Sequence, residues 1–122
     1  MELNILRADP AGNITVFVLD PIEKAQRAAI AEKIMAIPAL KAEQVGYACA
    51  AEDDVDGHME MMGGEFCGNA TRAYGMYIAQ QKGGLSSVRL RVSGCDHVVT
   101  AQVKHVSVRT GVCNPTPRSW IR

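Results

Sequence analysis

The sequence lacks an excess of charge of either sign. Its 122 residues include 13 Lys and Arg side chains and 13 Asp and Glu side chains, so the formal net charge at pH 7 is +0. A balanced chain produces no long-range field that would attract nucleic acid or an anionic membrane surface. We therefore expect neither a nucleic-acid partner nor a membrane partner.

Long hydrophobic runs are also missing. No apolar run approaches the roughly 20 residues that a membrane-spanning helix needs. Met1 is followed by alternating polar and apolar residues rather than by the basic segment that opens a leader peptide. The sequence therefore predicts one domain over residues 1–122, located in the cytoplasm and large enough to bury a core without covalent staples.

The cysteines form no C-x-x-C pair. There are four of them, at Cys49, Cys67, Cys95 and Cys113. Closely spaced pairs are typical of structural zinc sites, so this spacing does not favour a metal site. An even number permits two disulfides, but nothing indicates an oxidising compartment, and we expect free thiols. A buried free cysteine more often belongs to a core than to an active site, and this is our interpretation of Cys49 and Cys95.

The pattern of apolar residues predicts several strands. Alternation and β-branched residues favour a hairpin formed by residues 2–7 and 14–19, with turn-forming residues at 10–13. Further strands are predicted at residues 45–50, 58–61, 88–92, 99–103 and 106–108. The acidic residues 52–57 lack the spaced carboxylates of a calcium-binding loop, so we interpret them as a solvated turn.

A first helix is predicted after the hairpin. Asp20 can cap it, Pro21 suits the first helical position, and Glu23 can return a hydrogen bond to the cap. Pro38 stops the helix at about Ile37. Its inward stripe is expected to consist of Ile30, Ile34 and Ile37.

A second helix is predicted directly after Cys67 and ends at Gly83-Gly84. Apolar residues occupy nearly all of its sides, which is typical of a buried helix. The fold class is therefore α+β, with strands wrapped about one buried helix whose first turn carries Cys67.

Cys67 stands where a glycine turn becomes this helix. The first amide N–H groups of a helix are unpaired, and the aligned peptide dipoles leave partial positive charge there. Such a position favours thiolate over thiol and can hold an anion such as a carboxylate. The neighbouring Gly63, Gly64 and Gly68 allow a ligand to approach the backbone. No Cys-His or Ser-His-Asp motif accompanies Cys67, so a protease mechanism has little support.

These residues resemble a known family, the diaminopimelate epimerase superfamily of PLP-independent amino-acid racemases and epimerases. The resemblance is strongest to bacterial histidine racemases of metallophore pathways. Four segments in the right order support it, and they are Pro10-Ala11-Gly12-Asn13, Glu43-Gln44-Val45-Gly46-Tyr47, Gly64-Glu65-Phe66-Cys67-Gly68-Asn69-Ala70-Thr71 and Val92-Ser93-Gly94-Cys95. The similarity spans about residues 2 to 115.

The resemblance implies a fold and a mechanism. Members consist of two similar domains, each a curved, mostly antiparallel sheet around a central helix, with the substrate between them. One cysteine from each domain faces one side of Cα, so that a thiolate removes the proton and a thiol returns one. It implies no cofactor and no metal. The chain would be the N-terminal domain, inactive alone, and its partner would be the C-terminal domain of the same protein.

The resemblance also implies roles for individual residues. Cys67 would be one of the two bases. The backbone N–H groups of Gly68 and Asn69 would hold the carboxylate of a small amino-acid substrate. Substrate contacts from side chains are implied for Asn13, Glu43 and Thr71.

Two departures from the superfamily pattern limit the substrate and the mechanism. Diaminopimelate epimerases carry an Asn-Ala-Asp-Gly-Ser run before their cysteine, whereas this chain has Glu60-Met61-Met62-Gly63-Gly64. That argues against diaminopimelate as the substrate. A motif for a second base is absent, because Cys95 lies in a predicted strand turn and Cys113 in a predicted frayed tail.

Three functions remain open from the sequence. The first is half of a histidine racemase-like isomerase. The second is diaminopimelate epimerisation or a related isomerisation of the phenazine-pathway type, although those phenazine-pathway enzymes use a carboxylate in place of the cysteine. The third is an inactive, stable domain that only self-associates as a homodimer through exposed apolar surface.

Overall fold

Seven strands form one sheet in the computed structural model, which describes residues 2–9, 13–103 and 107–113. The strands are β1 (Leu3–Asp9), β2 (Thr15–Val18), β3 (Gln44–Cys49), β4 (Gly57–Met61), β5 (Ser87–Val92), β6 (Val99–Gln102) and β7 (Ser107–Cys113). The helices are α1 (Lys24–Met35) and α2 (Gly68–Gln81). None of the helices in the described part is long and apolar enough to cross a membrane.

The sheet is mixed but mostly antiparallel. Its strand order is β6-β5-β4-β3-β2-β1-β7. Four strand pairs are antiparallel, while β2 with β3 and β4 with β5 are parallel. Each parallel pair is joined through a helix, α1 in the first case and α2 in the second, because parallel neighbours need a crossover connection. This arrangement confirms the predicted α+β class.

The sheet curves around α2. This helix contacts β4, β5 and β6 near one end of the strand order and β1 and β7 at the other end. A flat sheet of this size would be about 29 Å across, at about 4.8 Å per strand spacing, whereas a helix is only about 10 Å wide. One helix can touch both ends only if the sheet curls over it. The predicted buried central helix is thus confirmed.

Small and aromatic residues fit α2 into the curved sheet. Gly75 faces β5 and β6, where an added Cβ would lie 3.1 Å from the Cβ of Ala101 and 3.2 Å from Val88. The rings of Tyr74 and Phe17 pack against each other at an interplanar angle of 41°, with centroids 5.2 Å apart. Close helix-to-sheet approach therefore depends on the missing side chain at Gly75, while the aromatic pair fills the wider space.

The opposite face of the sheet packs against α1. Ile30 and Ile34 of α1 are buried there, as the sequence predicts, and Ile37 packs against the same core just beyond the helix. The strand residues of this second core are Leu3, Ile5, Val16, Val18, Val45, Tyr47 and Cys113. Because successive strand residues point to opposite faces, a central strand of this sheet is apolar on both sides.

The predicted ends of the first helix are wrong. Helix α1 begins at Lys24, and its N-cap residue Glu23 makes no side-chain capping hydrogen bond. The carboxylate of Asp20 instead accepts hydrogen bonds from the backbone N–H of Asn4 at 2.7 Å and from its side-chain amide at 3.1 Å. The helix ends at Met35, three residues before Pro38. A proline disfavours helical geometry at the residue that precedes it, so the helix cannot continue through Ile37.

The two ends of the described chain meet at the edge of the sheet. The hairpin of β1 and β2 is confirmed, although its tip residues 10–12 lie outside the described residues. Strand β7 pairs with β1 over seven residue pairs, from Leu3 with Cys113 to Asp9 with Ser107. The prediction that Cys113 lies in a frayed tail is therefore wrong, since it is buried in a strand, and Val106 lies outside the described residues.

Candidate functional site

Cys67 is the N-cap residue of α2. Its backbone is extended, with φ −134° and ψ 113°, and its sulfur accepts a hydrogen bond from the backbone N–H of Ala70 at 3.5 Å. The side chain is half-buried. The cysteine thus takes the role that Ser or Asp usually has at a helix start, which places its sulfur over the first turn.

The loop before Cys67 begins with a tight turn. Gly64 has φ +74°, and its N–H donates to the carbonyl of Met61 at 2.9 Å. The Glu65 carboxylate accepts from the N–H of Gly63 at 3.1 Å. This turn redirects the chain from β4 into α2, as the sequence predicts, and it leaves Phe66 exposed beside the cysteine.

A second turn supports this loop from the end of β5. The Ser93 hydroxyl accepts from the N–H of Met61 at 2.8 Å and donates to the carbonyl of Glu65 at 2.6 Å. Gly94, with φ +76°, lies so close that an added Cβ would be 2.3 Å from the nitrogen of Phe66. The sequence predicts a strand turn at these residues and includes them in one motif of the resemblance. Their contact with the cysteine loop has no local signal, since it joins segments far apart in the chain.

Gln44 links the sheet to the Cys67 sulfur. Its side-chain Nε2 donates to Thr15 Oγ1 at 2.8 Å and to Cys67 Sγ at 3.2 Å. Thr15 is 0% exposed and lies beside Gln44 in the register of β2 and β3. The sequence indicated Gln44 only as part of a motif. The signal that could have identified its role is that Gln44 is a polar residue at the start of a buried strand.

The first turn of α2 is suited to an anion. Within the described residues, the N–H groups of Gly68 and Asn69 find no acceptor, as is usual at a helix start. The turn contains no acidic side chain, and the Arg72 guanidinium is hydrogen-bonded to Asn69 Oδ1. The helix end and the arginine together place positive charge beside Cys67.

Thr71 holds the backbone of Cys67. Its hydroxyl donates to the Cys67 carbonyl at 2.8 Å, and its N–H donates to the same oxygen at 2.9 Å. The residue is only 3% exposed. The Thr71 hydroxyl is therefore bonded to the cysteine backbone and does not face the solvent. A substrate contact through Thr71 stays a prediction.

Glu43 is hydrogen-bonded to Ile14, the residue that follows Asn13, at one side of the site. The backbone N–H of Glu43 donates to the Ile14 carbonyl at 2.9 Å, and the N–H of Ile14 donates to Glu43 Oε1 at 3.3 Å. Both Asn13 and Glu43 are exposed. Since Gln44 follows Glu43 and contacts Cys67, the fold brings this pair to the strand end from which the sulfur is held.

Two cavities in the described part of the chain are not lined by Cys67. One of about 460 Å³ is lined by α1, by residues 60–64 and by the turn at Ser93 and Gly94. The other, of about 420 Å³, lies around Cys49 and Leu19. Cys67 lines neither cavity. The chemistry of the helix start, rather than the size of a cavity, therefore identifies the candidate site.

A polar cluster of Arg27, Glu60 and Cys49 lies between these two cavities. Arg27 forms an ion pair with Glu60 at 2.5 Å, and its guanidinium lies 3.8 Å from the sulfur of Cys49. The hydrogen bond from Arg27 lowers the pKa of Glu60, whereas burial raises the pKa of the Cys49 thiol. A thiol whose pKa is raised stays protonated at neutral pH, which supports the interpretation of Cys49 as a core residue.

Comparison with known proteins identifies a family for nearly the whole chain. Residues 2–118 match the family described as histidine racemase CntK N-terminal domain.

Two curated relatives are similar over part of their length. A histidine racemase of Fusobacterium nucleatum is 42% identical over 79 residues, which cover 63% of this chain and 27% of that protein. A histidine racemase of Staphylococcus aureus is 34% identical over 99 residues, which cover 78% of this chain and 36% of that protein. The chain therefore spans about a third of the length of these relatives or less.

A solved structure shares the fold. A PhzF-family phenazine biosynthesis protein of Bacillus anthracis superposes with a TM-score of 0.59 at 19% identity, covering 84% of this chain and 36% of that one. At this level of identity the similarity concerns the fold alone. The resemblance to histidine racemases that the sequence motifs predict is confirmed by the family match and by the two curated relatives.

Proposed function

The chain belongs to the histidine racemase CntK N-terminal domain family, and from this premise we propose that it is the N-terminal half of a cofactor-independent amino-acid racemase acting on histidine. The observation that carries the proposal is a cysteine capping the helix whose first amides are free for a carboxylate. The relatives named histidine racemase, 34% to 42% identical, support the choice of amino acid.

Cys67 is the base on one face of the substrate. Its thiolate takes the proton from Cα, so that a sulfur–hydrogen bond forms, the carbon–hydrogen bond breaks, and the electron pair stays on the substrate. A thiol on the opposite face then gives a proton to Cα. The Cα–H of an amino acid is very weakly acidic, so the site must stabilise the carbanionic transition state with fixed hydrogen-bond donors.

The helix start provides these donors. The N–H groups of Gly68 and Asn69 hold the substrate carboxylate, where negative charge accumulates as the proton leaves. Arg72 and the helix dipole stabilise the same charge. Because the donors belong to the backbone of a buried helix, they are already in position before the proton moves.

Side chains around the sulfur complete the first half of the site. Asn13 and Glu43, both exposed at the strand end beside Gln44, contact the remaining polar groups of the substrate. Thr71 fixes the carbonyl of Cys67 and thereby the direction of its side chain. A substrate contact from its hydroxyl would add to this role.

The other half of the site comes from a C-terminal domain of the same protein. The relatives are about three to four times as long as the regions that match this chain, which leaves room for such a domain. It supplies the second cysteine and covers the exposed helix start, and the closed, dry site strengthens the interactions with the carbanion. Residues 1–122 alone are then inactive. The free thiols of this chemistry fit a cytoplasmic location.

Exchange of the Cα hydrogen tests the proposal. The longer protein is incubated with histidine in deuterium oxide, and incorporation of deuterium at Cα is followed by NMR. Cys67→Ser should abolish incorporation, whereas the matched variant Cys95→Ser should retain it. Full incorporation by Cys67→Ser would overturn the proposed role of Cys67.

A panel of amino acids tests the substrate. Diaminopimelate and other amino acids are offered to the same protein under the same conditions. Faster exchange with diaminopimelate than with histidine would favour the related epimerase activity. Absence of exchange and of binding for every amino acid, together with a stable homodimer in sedimentation, would favour an inactive self-associating domain, for which the exposed Phe66 offers apolar surface.

A further inference from the structure

We propose that Thr15 and Gln44 act together on the Cys67 sulfur, with Gln44 donating to its deprotonated form and Thr15 positioning the Gln44 amide. We call these two residues the Thr15–Gln44 relay. The inference rests on the proposed function, since it concerns the sulfur that takes the Cα proton. It assigns a role to two residues that neither the helix start nor the carboxylate site requires.

The register of the sheet places the relay under the sulfur. Thr15 and Gln44 are directly paired in the parallel strands β2 and β3. Two residues further along β2, Phe17 points to the same face and packs in the core of α2 against Tyr74. The side chains at positions 15 and 44 therefore share the concave face of the sheet, toward the helix that Cys67 caps.

Thr15 fixes the orientation of the amide. A glutamine amide has two N–H donors on its nitrogen, and both are directed here, one to Thr15 Oγ1 at 2.8 Å and one to Cys67 Sγ at 3.2 Å. Thr15 is completely buried, so its hydroxyl needs a partner inside the protein. Holding one N–H on a buried acceptor turns the other toward the sulfur.

The relay donates to the sulfur without adding a charge. The Cys67 sulfur accepts from two groups among the described residues, the Gln44 amide at 3.2 Å and the Ala70 N–H at 3.5 Å. Both donors are neutral. A lysine or histidine cation at this distance would hold the thiolate as an ion pair. In a racemase the same cysteine removes the proton in one direction of the reaction and returns one in the reverse direction, so it must exist in both forms. An amide stabilises the thiolate and leaves the thiol accessible.

Alkylation of the 122-residue chain measures this effect on the sulfur directly. Iodoacetamide reacts with thiolate, and mass spectrometry of peptides gives a separate rate for each of the four cysteines. Gln44→Met, which keeps the length and removes both donors, should slow alkylation of Cys67 about tenfold, the effect of one hydrogen bond to a charged acceptor. The ultraviolet absorbance of the thiolate should fall with it. Cys95 serves as the internal control.

Variants of Thr15 separate orientation from donation. Thr15→Val removes the hydroxyl and keeps the shape, so the Cys67 rate should fall by a smaller factor than in Gln44→Met. Thr15→Ser keeps the hydroxyl and should restore most of the rate. Circular dichroism checks the fold of each variant. Where Gln44→Met does not fold, Gln44→Glu replaces it, since it also lacks the N–H donors and should slow alkylation.

The outcomes distinguish the relay from the proposed function. Unchanged Cys67 alkylation in folded Gln44 variants would overturn the relay, even where Cα exchange of histidine still requires Cys67. Alkylation that depends on Gln44, together with exchange that persists in Cys67→Ser, would support the relay and overturn the proposed function. In the longer protein the relay predicts that Gln44→Met lowers kcat for exchange with little change in KM.

Discussion

Gly94 packs against the backbone of Phe66, the residue before Cys67, so closely that a Cβ added to Gly94 would lie 2.3 Å from the Phe66 nitrogen. No side chain fits between these two segments, so the turn after β5 packs directly on the loop that ends at the cysteine. Ser93, which is bonded to both Met61 and Glu65, strengthens the same contact. The position of the cysteine loop therefore depends on a segment about 30 residues away in the chain.

Gly94→Ala should destabilise the chain more than Gly64→Ala. Both glycines have positive φ, +76° and +74°, so both variants incur the strain of a left-handed alanine, about 1 kcal/mol. Only the Gly94 variant also forces the Phe66 backbone to move, because in the described part of the chain no atom beyond the two adjacent residues lies within 4 Å of a Cβ at Gly64. We expect at least about 2 kcal/mol for Gly94→Ala by urea denaturation. Equal losses for the two variants would contradict the close contact.

Thr71→Val should lower the free energy of unfolding by about 1 kcal/mol, the contribution of one hydrogen bond. The valine keeps the shape of a buried side chain but loses the donor to the Cys67 carbonyl. Thr71→Ser, the matched control, keeps the hydroxyl. It should lose less of the Cys67-dependent exchange of the histidine Cα hydrogen than Thr71→Val does. If the valine variant is as stable as the parent, the hydroxyl does not hold the cysteine backbone.

The ion pair of Arg27 and Glu60 should make the free energy of unfolding decrease as the pH falls. The hydrogen bond from Arg27 lowers the pKa of Glu60 from its ordinary value of 4.5. A carboxyl whose pKa is lowered by folding contributes stability above its unfolded pKa and loses that contribution as the pH falls through its folded pKa. Glu60→Gln should therefore be less stable by about 1 kcal/mol at pH 7, and the difference from the parent should shrink below about pH 4.

Urea denaturation at several pH values checks this behaviour. Glu32→Gln, a change at an exposed position of the helix α1 that carries Arg27, controls for the loss of one negative charge. If the difference in unfolding free energy between the parent and Glu60→Gln stays constant down to the lowest pH at which both remain folded, the carboxylate is not stabilised by Arg27.

Local signals were sufficient to predict the central helix and its cysteine. The glycine turn, Cys67 and the apolar helix are contiguous, so their pattern is readable without knowing the rest of the fold. The pairing of β7 with β1 was not predicted, because it joins Leu3 to Cys113 across the whole chain. The relay of Thr15 and Gln44 was missed for the same reason, since strand register, unlike helix periodicity, is set by partners distant in sequence.

The start of α1 shows a different limit. Asp20, Pro21 and Glu23 have the sequence of a capping box, but the Asp20 carboxylate is bound to Asn4 of the neighbouring strand. The hydrogen bonds to Asn4 replace the local cap, and the helix starts later. Tertiary contacts override local propensity when both compete for one side chain.

Gly68→Pro should separate carboxylate binding from folding. Proline is tolerated at the first position of a helix, where the N–H has no partner within the helix. The backbone before it is already extended at Cys67, with φ −134° and ψ 113°, which is the geometry that a residue before proline prefers. Beyond the adjacent residues and the backbone of the helix itself, the nearest described atom to an added Cβ at Gly68 belongs to Arg72 and is 3.6 Å away, so there is room for the Cβ of the proline ring. We therefore expect a change in unfolding free energy of less than about 1 kcal/mol.

The same variant removes one of the two N–H groups proposed to hold the substrate carboxylate. Loss of one hydrogen bond to a charged group should reduce kcat/KM for histidine exchange by the longer protein about tenfold or more. Gly68→Ala, which adds a side chain but keeps the N–H, separates the effect of the amide from the effect of bulk. If proline and alanine reduce exchange equally, the carboxylate does not bind this amide. If proline alone reduces it in a folded protein, the start of α2 is where the substrate anion is held.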